Sequence, residues 1–398
     1  MRLTGRRRRA QEERGPRSER RDAILVRTHL IESHEAAEIF ITATPSRAGP
    51  VREAARDAFG RIHDALRSHR GHILQERIFA GESAMSEVLA ARAEAYGSLD
   101  DGAPPVRLAV PRGIAGELAG VQVHAVRGAR PPSVLKSGGV ACGRSVEAGG
   151  RRYISLSGLV APEAGSRTAQ ARAVFQKADA VLRDVGGDMF SVARTWLWLG
   201  DILAWYGDFN EVRNRFFLDC GLLDGSPHQV RLPASTGIGV RPAGGPACAL
   251  DVFAVVGAED AIEFFRAAGK QQCAYNYGSA FSRSARVTTP AGKTVYISGT
   301  AAIDETGKSR HIDDAKGQIE MTLANVRAAL HDMGCTDRDV VQAIAYSKTP
   351  EVEKVFLDGW RDIGWPVISA ISDICRDELL FEVEATACPG AREAASAR

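Results

Sequence analysis

The sequence predicts an α+β fold of three related modules, each a β-sheet with helices on one face: two clear repeats and a degenerate N-terminal third. Residues 170–186 and 318–334 align without a gap and share their apolar rows, and residues 57–71 form a weaker copy. Each copy follows one strand-like run and precedes two more. Because a repeat of this size cannot bury its own apolar face, the three modules should pack together.

The third module shows the element order most clearly. A 3.6-residue apolar period predicts a helix from about Ala315 to Met333, and Gly334 suits its C-terminal end. The other predicted elements are strands at 293–303 and 340–348, a shorter helix at 351–364 and a closing strand at 379–387.

The other two modules repeat this order. In the second module the predicted elements are strands at 152–162, 192–200 and 247–257, and helices at 170–185 and around 209–220. In the first they are strands at 38–45, 72–81 and 120–128, and helices at about 50–69 and around 83–97. Amphipathic helices also share a 3.6-residue period by coincidence, but the matched spacing and element order favour a true repeat.

The composition is that of a globular protein with a large core: 398 residues, 44% apolar and 25% charged. The net charge is only +2, yet the first 22 residues carry nine arginines and show no apolar period. We expect a disordered tail there; a nucleic-acid arm would interleave aromatic residues, so no nucleic-acid partner is expected. The predicted domains are a disordered Arg-rich tail (1–22), a degenerate first module (23–135), a second module (136–258) and a third module (259–398).

The sequence also indicates the cellular compartment in which the protein is expected to work. The most apolar stretch, 190–207, is interrupted by Arg194 and Asp201, so we expect no membrane span. The N-terminal arginines are not followed by a continuous apolar core of the right length, so we expect no signal peptide. The seven cysteines form no CxxC pair, which favours a reducing cytoplasm over a disulfide or zinc framework. The nine histidines are scattered without acidic or cysteine partners, and we expect no metal site.

The closing strands of the three modules differ at one position. Laid over one another they carry Gln122, Asp251 and Glu382, and only the third adds Glu384 two residues on, on the same strand face. One interpretation is a solvated strand face. The other is a general acid, because a carboxyl at the buried end of a strand can hold a proton near neutral pH.

Candidate substrate-binding residues lie near these strands. Ser235, Thr236 and Gly237 offer hydroxyls and close backbone N–H groups, which suit an anion or simply form a turn. Cys375 stands just before the last strand, where a lone cysteine is commonly a small core residue. The remaining candidates are Arg213, Arg215, Tyr277, Arg283 and Arg376. Basic clusters flanking one carboxyl suggest a small substrate with two carboxylates, although each arginine is also explained as a surface charge.

The third module resembles the RidA/YjgF family of small trimeric proteins. The matching features are SGTAAI (298–303), DMG (332–334), DVVQAIAYSK (339–348), Pro366 and FEVEATA (381–387). The resemblance implies that each module has the RidA/YjgF-like (chorismate-mutase-like) fold, in which a β-sheet carries helices on one face. Family members often act as enamine/imine deaminases, using an arginine two residues after the proline and the glutamate of the last strand. Here that arginine position holds Ile368, or Ser235 in the second module, while Glu382 remains.

A wider resemblance covers nearly the whole chain after the tail. Five segments together resemble chorismatases: 207–217, 232–239, 277–287, 295–304 and 373–385. These enzymes use fused RidA-like modules to remove pyruvate from chorismate. The resemblance implies that Glu382 is the acid, that arginines hold the two substrate carboxylates, and that no metal or organic cofactor is required. In the branch that forms 3-hydroxybenzoate, a cysteine lies seven residues before the glutamate, where Cys375 stands here.

One leading hypothesis and three alternatives follow. The leading hypothesis is a cytoplasmic chorismatase in which Glu382 protonates the enol ether of chorismate and Cys375 favours 3-hydroxybenzoate. The alternatives are a chorismate hydrolase giving a dihydroxycyclohexadiene carboxylate, a RidA-like enamine/imine deaminase, and a non-catalytic metabolite-binding module. The resemblance to RidA-like proteins, which form trimers with sites between subunits, has a consequence for the oligomeric state. Three fused modules should form the same ring within one chain, so we expect a monomer that is an internal pseudo-trimer.

Overall fold

A computed structural model describes residues 23–223, 231–257 and 259–394, and the predicted Arg-rich tail lies outside these ranges. The described chain forms three mixed β-sheets, one for each predicted module. Each sheet is covered on one face by two helices, while its other face meets the other sheets. The predicted α+β fold of sheet modules with helices on one face is therefore confirmed.

The first module supplies five strands and two helices within the described ranges. In chain order they are β1 (Ile24–Glu32), β2 (Ala37–Pro45), α1 (Val51–His69), β3 (His72–Ala80), α2 (Met85–Tyr96), β4 (Val106–Ala109) and β5 (Leu118–Arg127).

The second module begins with an extra hairpin. In chain order its elements are β6 (Ser133–Ser137), β7 (Val140–Ala148), β8 (Arg151–Leu159), α3 (Arg167–Asp184), β9 (Val192–Leu199), α4 (Tyr206–Asp219), β10 (Ala234–Ile238), β11 (Arg241–Pro242) and β12 (Cys248–Val256). Strand β6 pairs with β7 in the second sheet and crosses the predicted domain boundary between residues 135 and 136.

The third module runs to the end of the described chain. In chain order its elements are β13 (Ile262–Phe265), β14 (Ser284–Thr289), β15 (Gly292–Ala301), α5 (Ala315–Asp332), β16 (Val340–Ser347), α6 (Pro350–Trp360), β17 (Val367–Ile371), β18 (Phe381–Ala387) and β19 (Arg392–Glu393). The short strands β11 and β19 leave their own modules and extend the two edges of the first sheet.

The local sequence explains the repeated helix, for which α5 is the clearest case. The Asp314 side chain accepts a hydrogen bond from the Gly317 amide, and such an N-cap stabilises a helix by about 1 kcal/mol. Leu323, Val326 and other apolar residues at helical spacing are buried, each contributing about 2 kcal/mol. Gly334 follows with φ 73°, a left-handed conformation that ends the helix. None of the helices in the described ranges is long and apolar enough to span a bilayer.

All three sheets share one strand plan. The strand after the second helix lies parallel to the strand before that helix: β4 with β3, β10 with β9, and β17 with β16. The closing strands β5, β12 and β18 lie antiparallel inside their sheets, each between two long neighbours. Residues at equivalent positions of the closing strands therefore occupy equivalent places in the three modules.

The three sheets close a ring. Their bare faces meet in one shared core, to which Phe79, Trp198 and Tyr296 each contribute a ring from a different sheet. Neighbouring sheets contact one another through β3 and β8, β10 and β15, and β17 and β5. We call these three contacts the first–second, second–third and third–first joints. Functional sites between subunits of a trimer would correspond to these joints in a fused chain.

Candidate active site

A cavity of about 180 Å³ lies at the second–third joint. There β10 runs beside β15, and backbone bridges join Ala234 to Ser282 and Gly239 to Asp373. The residues that line the cavity are Tyr206, Asn210, Ser235, Gly237, Ser279, Phe281, Arg283, Gly299, Ala301, Ile303, Cys375, Arg376 and Glu382. Both modules therefore build its wall.

Glu382 reaches this cavity from the closing strand β18. It lies opposite Ala301 of β15, whose register with β18 shifts between Ile297 and Thr300, as at a β-bulge. Gly299 lies in this irregular segment, and a β-carbon there would overlap Oε1 of Glu382. The absence of a side chain at Gly299 thus creates the space that the carboxyl group occupies.

The Glu382 carboxyl is held in its neutral form at neutral pH. The residue is only 4% exposed, and among the described residues no group donates a hydrogen bond to it. Burial, followed by repulsion from Glu384, raises the pKa of Glu382 to about 8, against partial opposition from Arg283 and Arg194. About nine-tenths of this group is consequently protonated at pH 7.

Glu384, on the same face of β18, has the opposite environment. Its Oε2 accepts a hydrogen bond of 2.7 Å from the Arg194 guanidinium, and its Oε1 accepts one of 3.0 Å from the Trp196 indole. Both ionic partners are almost fully buried. Two carboxyl groups two residues apart therefore differ in role: Glu384 is a paired carboxylate, and Glu382 is an unpaired acid facing the cavity.

Two arginines bring positive charge to the cavity wall. Arg283 is buried, its Nε donates to the carbonyl oxygen of Gln272 at 3.0 Å, and its guanidinium lies 5.3 Å from the centre of the Phe281 ring. Arg376 is half-buried, and its Nη1 donates to the carbonyl oxygen of Gly307 at 3.0 Å. Fixed guanidinium groups in a small cavity suit the binding of carboxylates.

The structure separates the two arginines predicted on α4. Arg213 is buried behind the cavity wall, where its Nη2 donates to Oδ1 of Asn210 at 2.6 Å and its guanidinium lies 5.6 Å from the Phe209 ring. It thereby supports Asn210, which lines the cavity. Arg215 lies on the outer face of the helix, where it forms an ion pair of 3.0 Å with Asp219.

The three predicted residues of β10 point to two sides. Ser235 and Gly237 line the cavity, while Thr236 faces the interior and accepts a hydrogen bond of 2.5 Å from Arg194. This alternation is the ordinary geometry of a strand. The amide of Ser235 donates to Oγ of Ser298 at 2.8 Å, so it is committed to the joint rather than to an anion.

Two neutral groups with exchangeable protons complete the wall. Burial, and then the nearby Glu382, raise the pKa of the Cys375 thiol to about 12. Burial, and then Cys375, raise the pKa of the Tyr206 phenol to about 12. Both groups are therefore protonated at neutral pH and act as polar, uncharged surfaces.

The Tyr277 backbone belongs to a short 3₁₀ turn, and its side chain lies outside the described part of the structure, so its role stays a prediction.

Several lining residues were not singled out from the sequence. Tyr206, Asn210, Ser279, Phe281 and Gly299 come from segments whose contact with one another is set by the joint, not by sequence spacing. Four of them, all but Tyr206, lie inside the segments that resemble chorismatases. Gly299 could have been predicted from the sequence, because a glycine inside a strand pattern often marks a β-bulge or a close approach of another group to the backbone.

The equivalent positions at the other two joints are filled by the chain itself. At the first–second joint, Asp251 accepts hydrogen bonds from the Arg77 guanidinium at 3.0 Å and the Gly158 amide at 2.7 Å. At the third–first joint, Gln122 donates to the carbonyl oxygen of Ala343 at 2.9 Å. Of these three positions, Glu382 is the one whose polar group faces a cavity instead of a protein partner.

The cavity suits acid chemistry on a small anion. Its volume is below the roughly 300–1,000 Å³ of pockets that hold drug-sized ligands. It combines one neutral carboxylic acid, two guanidinium groups and several uncharged polar groups. Within the described residues, no group of three His, Cys, Asp or Glu side chains is placed to hold a metal ion.

Comparison with known proteins gives a partial match in sequence and a wider one in structure. The sequence model of the Endoribonuclease L-PSP family matches residues 278–388. No curated protein sequence matches the chain. A solved chorismatase is 21% identical, with a TM-score of 0.57, over 80% of this chain and 93% of that one.

Smaller solved proteins match one part of the chain. A putative endoribonuclease from Thermotoga maritima is 20% identical over 31% of this chain and 95% of its own, with a TM-score of 0.25. A protein of unknown function of the conserved Rid family from Yersinia pestis is 18% identical over 32% of this chain and 98% of its own, with a TM-score of 0.26.

These findings define the fold. The third module matches the Endoribonuclease L-PSP family over most of its length. Over 80% of its length the chain has the fold of the solved chorismatase, built from fused RidA/YjgF-like modules, as predicted from its sequence.

Proposed function

We propose that this protein is a chorismatase, an enzyme that removes pyruvate from chorismate by protonating its enol ether, with Glu382 as the acid. The observation that supports this most strongly is a neutral, unpaired carboxyl group in a cavity that also carries two arginines. The likeness in fold to a solved chorismatase supports the same choice of substrate.

The charges of the cavity complement the proposed substrate. Chorismate carries one carboxylate on its ring and one on its enolpyruvyl side chain. Arg283 and Arg376, both on the cavity wall, are the groups proposed to bind them. Guanidinium groups hold carboxylates through paired hydrogen bonds, which fixes the substrate as well as attracting it.

The reaction begins with proton transfer to carbon. Glu382 gives its proton to the terminal CH₂ of the enol ether, which becomes a methyl group, and the ether carbon becomes an oxocarbenium ion. The Glu382 carboxylate left behind stabilises this cation by its negative charge. A glutamate with an ordinary pKa would seldom hold the proton at pH 7, so the raised pKa supports the proposed step.

Two fates of the cation give different products. Addition of water to the ether carbon, followed by cleavage of the bond between that carbon and the ring oxygen, gives pyruvate and a dihydroxycyclohexadiene carboxylate. Alternatively, the ring hydroxyl displaces the side chain and the ring aromatises, giving pyruvate and hydroxybenzoate with no net consumption of water. We propose 3-hydroxybenzoate as the main product, because Cys375 lies on the cavity wall and stands seven residues before Glu382, as the cysteine does in the chorismatase branch that forms this product.

The test is release of pyruvate from chorismate by the purified protein. Pyruvate is recorded as NADH consumption with excess lactate dehydrogenase, and the aromatic product is identified by chromatography. The Glu382→Gln variant should lose activity about 10²–10⁴-fold, the usual contribution of a general acid. Glu305→Gln, which removes an exposed carboxylate from the same module, is the matched control and should keep full activity. Absence of pyruvate above the uncatalysed rate would rule out the proposal.

A RidA-like deaminase is less well supported. The position that carries an arginine in that family is Ile368 in the third module, and this side chain is fully buried. It packs at the third–first joint so closely to Gly120 that a β-carbon there would lie 2.9 Å from it. At the second–third joint, where Glu382 lies, the equivalent position is Ser235 on the cavity wall, so no guanidinium group enters either joint from this position. Ammonia release from a short-lived imine would be the result that favours the deaminase.

A further inference from the structure

A buried ion pair lies directly behind the acid. Arg194 projects from β9 and Glu384 from β18, their charged groups are 2.7 Å apart, and their side chains are 2% and 6% exposed. The Trp196 indole donates a second hydrogen bond to Glu384 at 3.0 Å. Because Glu384 lies two residues after Glu382 on the same strand face, the pair and the acid belong to one layer.

Hydrogen bonds connect this pair to the space around Glu382. Arg194 donates to the Thr236 hydroxyl at 2.5 Å, and the Gly299 amide donates to the same oxygen at 3.0 Å. Gly299 is the residue whose missing side chain accommodates Oε1 of Glu382. A single guanidinium group therefore ties β9 and β10 of the second module to the strands of the third module that hold the acid.

The pair also supplies fixed charge near Glu382. The titratable and charged groups that face Glu382 from the surrounding elements are Glu384, Arg194, Arg283, Arg376, Tyr206, Tyr346 and Cys375. Burial raises the pKa of both tyrosines and of the cysteine, so these three are neutral at pH 7. The other two arginines, Arg283 and Arg376, line the cavity.

We propose that Arg194 and Glu384 are positioning residues that set the protonation state and the placement of the catalytic acid Glu382. This inference rests on the proposed function of Glu382, but it concerns a property of the protein that is measurable without substrate. Neither residue contacts the cavity, so each acts through Glu382.

The two charges act on Glu382 in opposite directions. The Glu384 carboxylate repels a second negative charge and raises the pKa of Glu382, whereas Arg194 lowers it. Removing the charge of Glu384 should therefore lower the pKa of Glu382, and removing Arg194 should raise it. Residues two apart on a strand lie about 7 Å from each other, and a charge at that distance in a protein interior shifts a pKa by about one to two units. A role in folding alone would not produce shifts of opposite sign.

The experiment measures the proton affinity of Glu382 through folding stability. In the wild type the folded state holds this proton up to about pH 8 and the unfolded state only to about 4.5. Stability relative to Glu382→Gln is therefore greatest below pH 4.5, falls as the pH rises, and levels off above pH 8. The pH at which it levels off reports the pKa of Glu382 in the folded protein.

This stability difference is compared between the wild type and three variant backgrounds by unfolding in urea across the pH range. With Glu384→Gln, the levelling-off point should move about one to two pH units lower; with Arg194→Met, it should move higher. The matched control is Glu76→Gln, which breaks the equally buried Arg92–Glu76 pair of 2.7 Å in the first module. That variant should be less stable than the wild type, but the pH at which the stability difference levels off should stay the same. Unchanged points in both test variants would overturn the proposal.

Breaking a buried ion pair is costly, so a variant that retains no unpaired charge is needed as well. The double variant Arg194→Met with Glu384→Gln removes both charges and should fold. Repulsion by Glu384 outweighs attraction by Arg194, so its levelling-off point should lie below that of the wild type. The same point as in the wild type would overturn the proposal. If chorismate is not turned over, these titrations still decide the matter, which separates this inference from the proposed function.

Discussion

Raising the pH through 8 should remove the proposed chorismate-cleaving activity, because Glu382 then loses the proton that we propose it donates. Burial and the neighbouring Glu384 raise its pKa to about 8, so it is about nine-tenths protonated at pH 7 and about one-tenth protonated at pH 9. Above pH 8, kcat/KM should therefore fall about tenfold per pH unit. With the ordinary value of 4.5, only about 0.3% of the group would be protonated at pH 7, an activity about 300-fold lower.

The assay measures initial rates of pyruvate release at limiting chorismate. Ionic strength is kept constant, because the proposed attraction between the cavity arginines and the carboxylates of chorismate would weaken with salt. The pH dependence of kcat/KM reports the acid in the free enzyme, and that of kcat reports the acid in the complex. The second value should be the higher one, because a bound dianion further disfavours a charged Glu382.

Two results would refute this reasoning. An activity that is lost between about pH 4 and pH 6 would mean an acid with an ordinary carboxyl pKa. An activity that keeps rising to pH 9 would mean that an ionised group, acting as a base, limits the reaction. In either case the neutral, buried carboxyl would not be the proton donor.

Four further predictions follow from the cavity. Gly299→Ala should lower kcat/KM about 100-fold, because its β-carbon displaces the Glu382 carboxyl. Arg283→Met should raise KM at least about tenfold through loss of a charged hydrogen bond, while Arg215→Met, on the surface, should not; both are read from steady-state kinetics. Cys375→Ala should shift product towards the dihydroxycyclohexadiene carboxylate, as measured by chromatography. Light scattering should show a monomer, because one chain already closes the ring of three sheets.

Each of these has a contradicting outcome. Full activity in Gly299→Ala would show that the carboxyl is not held at this bulge. If Arg283→Met and Arg215→Met change KM equally, the predicted difference between a cavity arginine and a surface arginine is wrong. An unchanged product ratio would remove Cys375 from product choice, and a stable trimer would contradict the internal ring.

The repeated framework was predictable from the sequence because its signal is local. The apolar row of α5 repeats every three to four residues, since Leu323, Val326 and Leu330 must all meet the same sheet. The closing strands align for the same reason, and at one aligned position the third module has Glu382 where the others have Gln122 and Asp251. The three modules thus share a scaffold and differ at this position.

The surroundings of that position were not predictable, because they are made by contacts between distant residues. Arg194 stood out in the sequence only as a charge that interrupts an apolar stretch, yet it pairs with Glu384, 190 residues away. Tyr206 reaches the cavity because β10 lies beside β15. Spacing along the chain does not encode such a joint. It also did not separate Arg283, on the cavity wall, from Arg215, on the outer surface.

The most direct test of the central claim is pyruvate release from chorismate at pH 7 by the wild type and by Glu382→Gln. We expect one pyruvate for each chorismate consumed by the wild type, and a rate about 10²–10⁴-fold lower in a variant that still folds. No release by the wild type, or an equal rate in the two proteins, would contradict the assignment of Glu382 as the acid of a chorismatase.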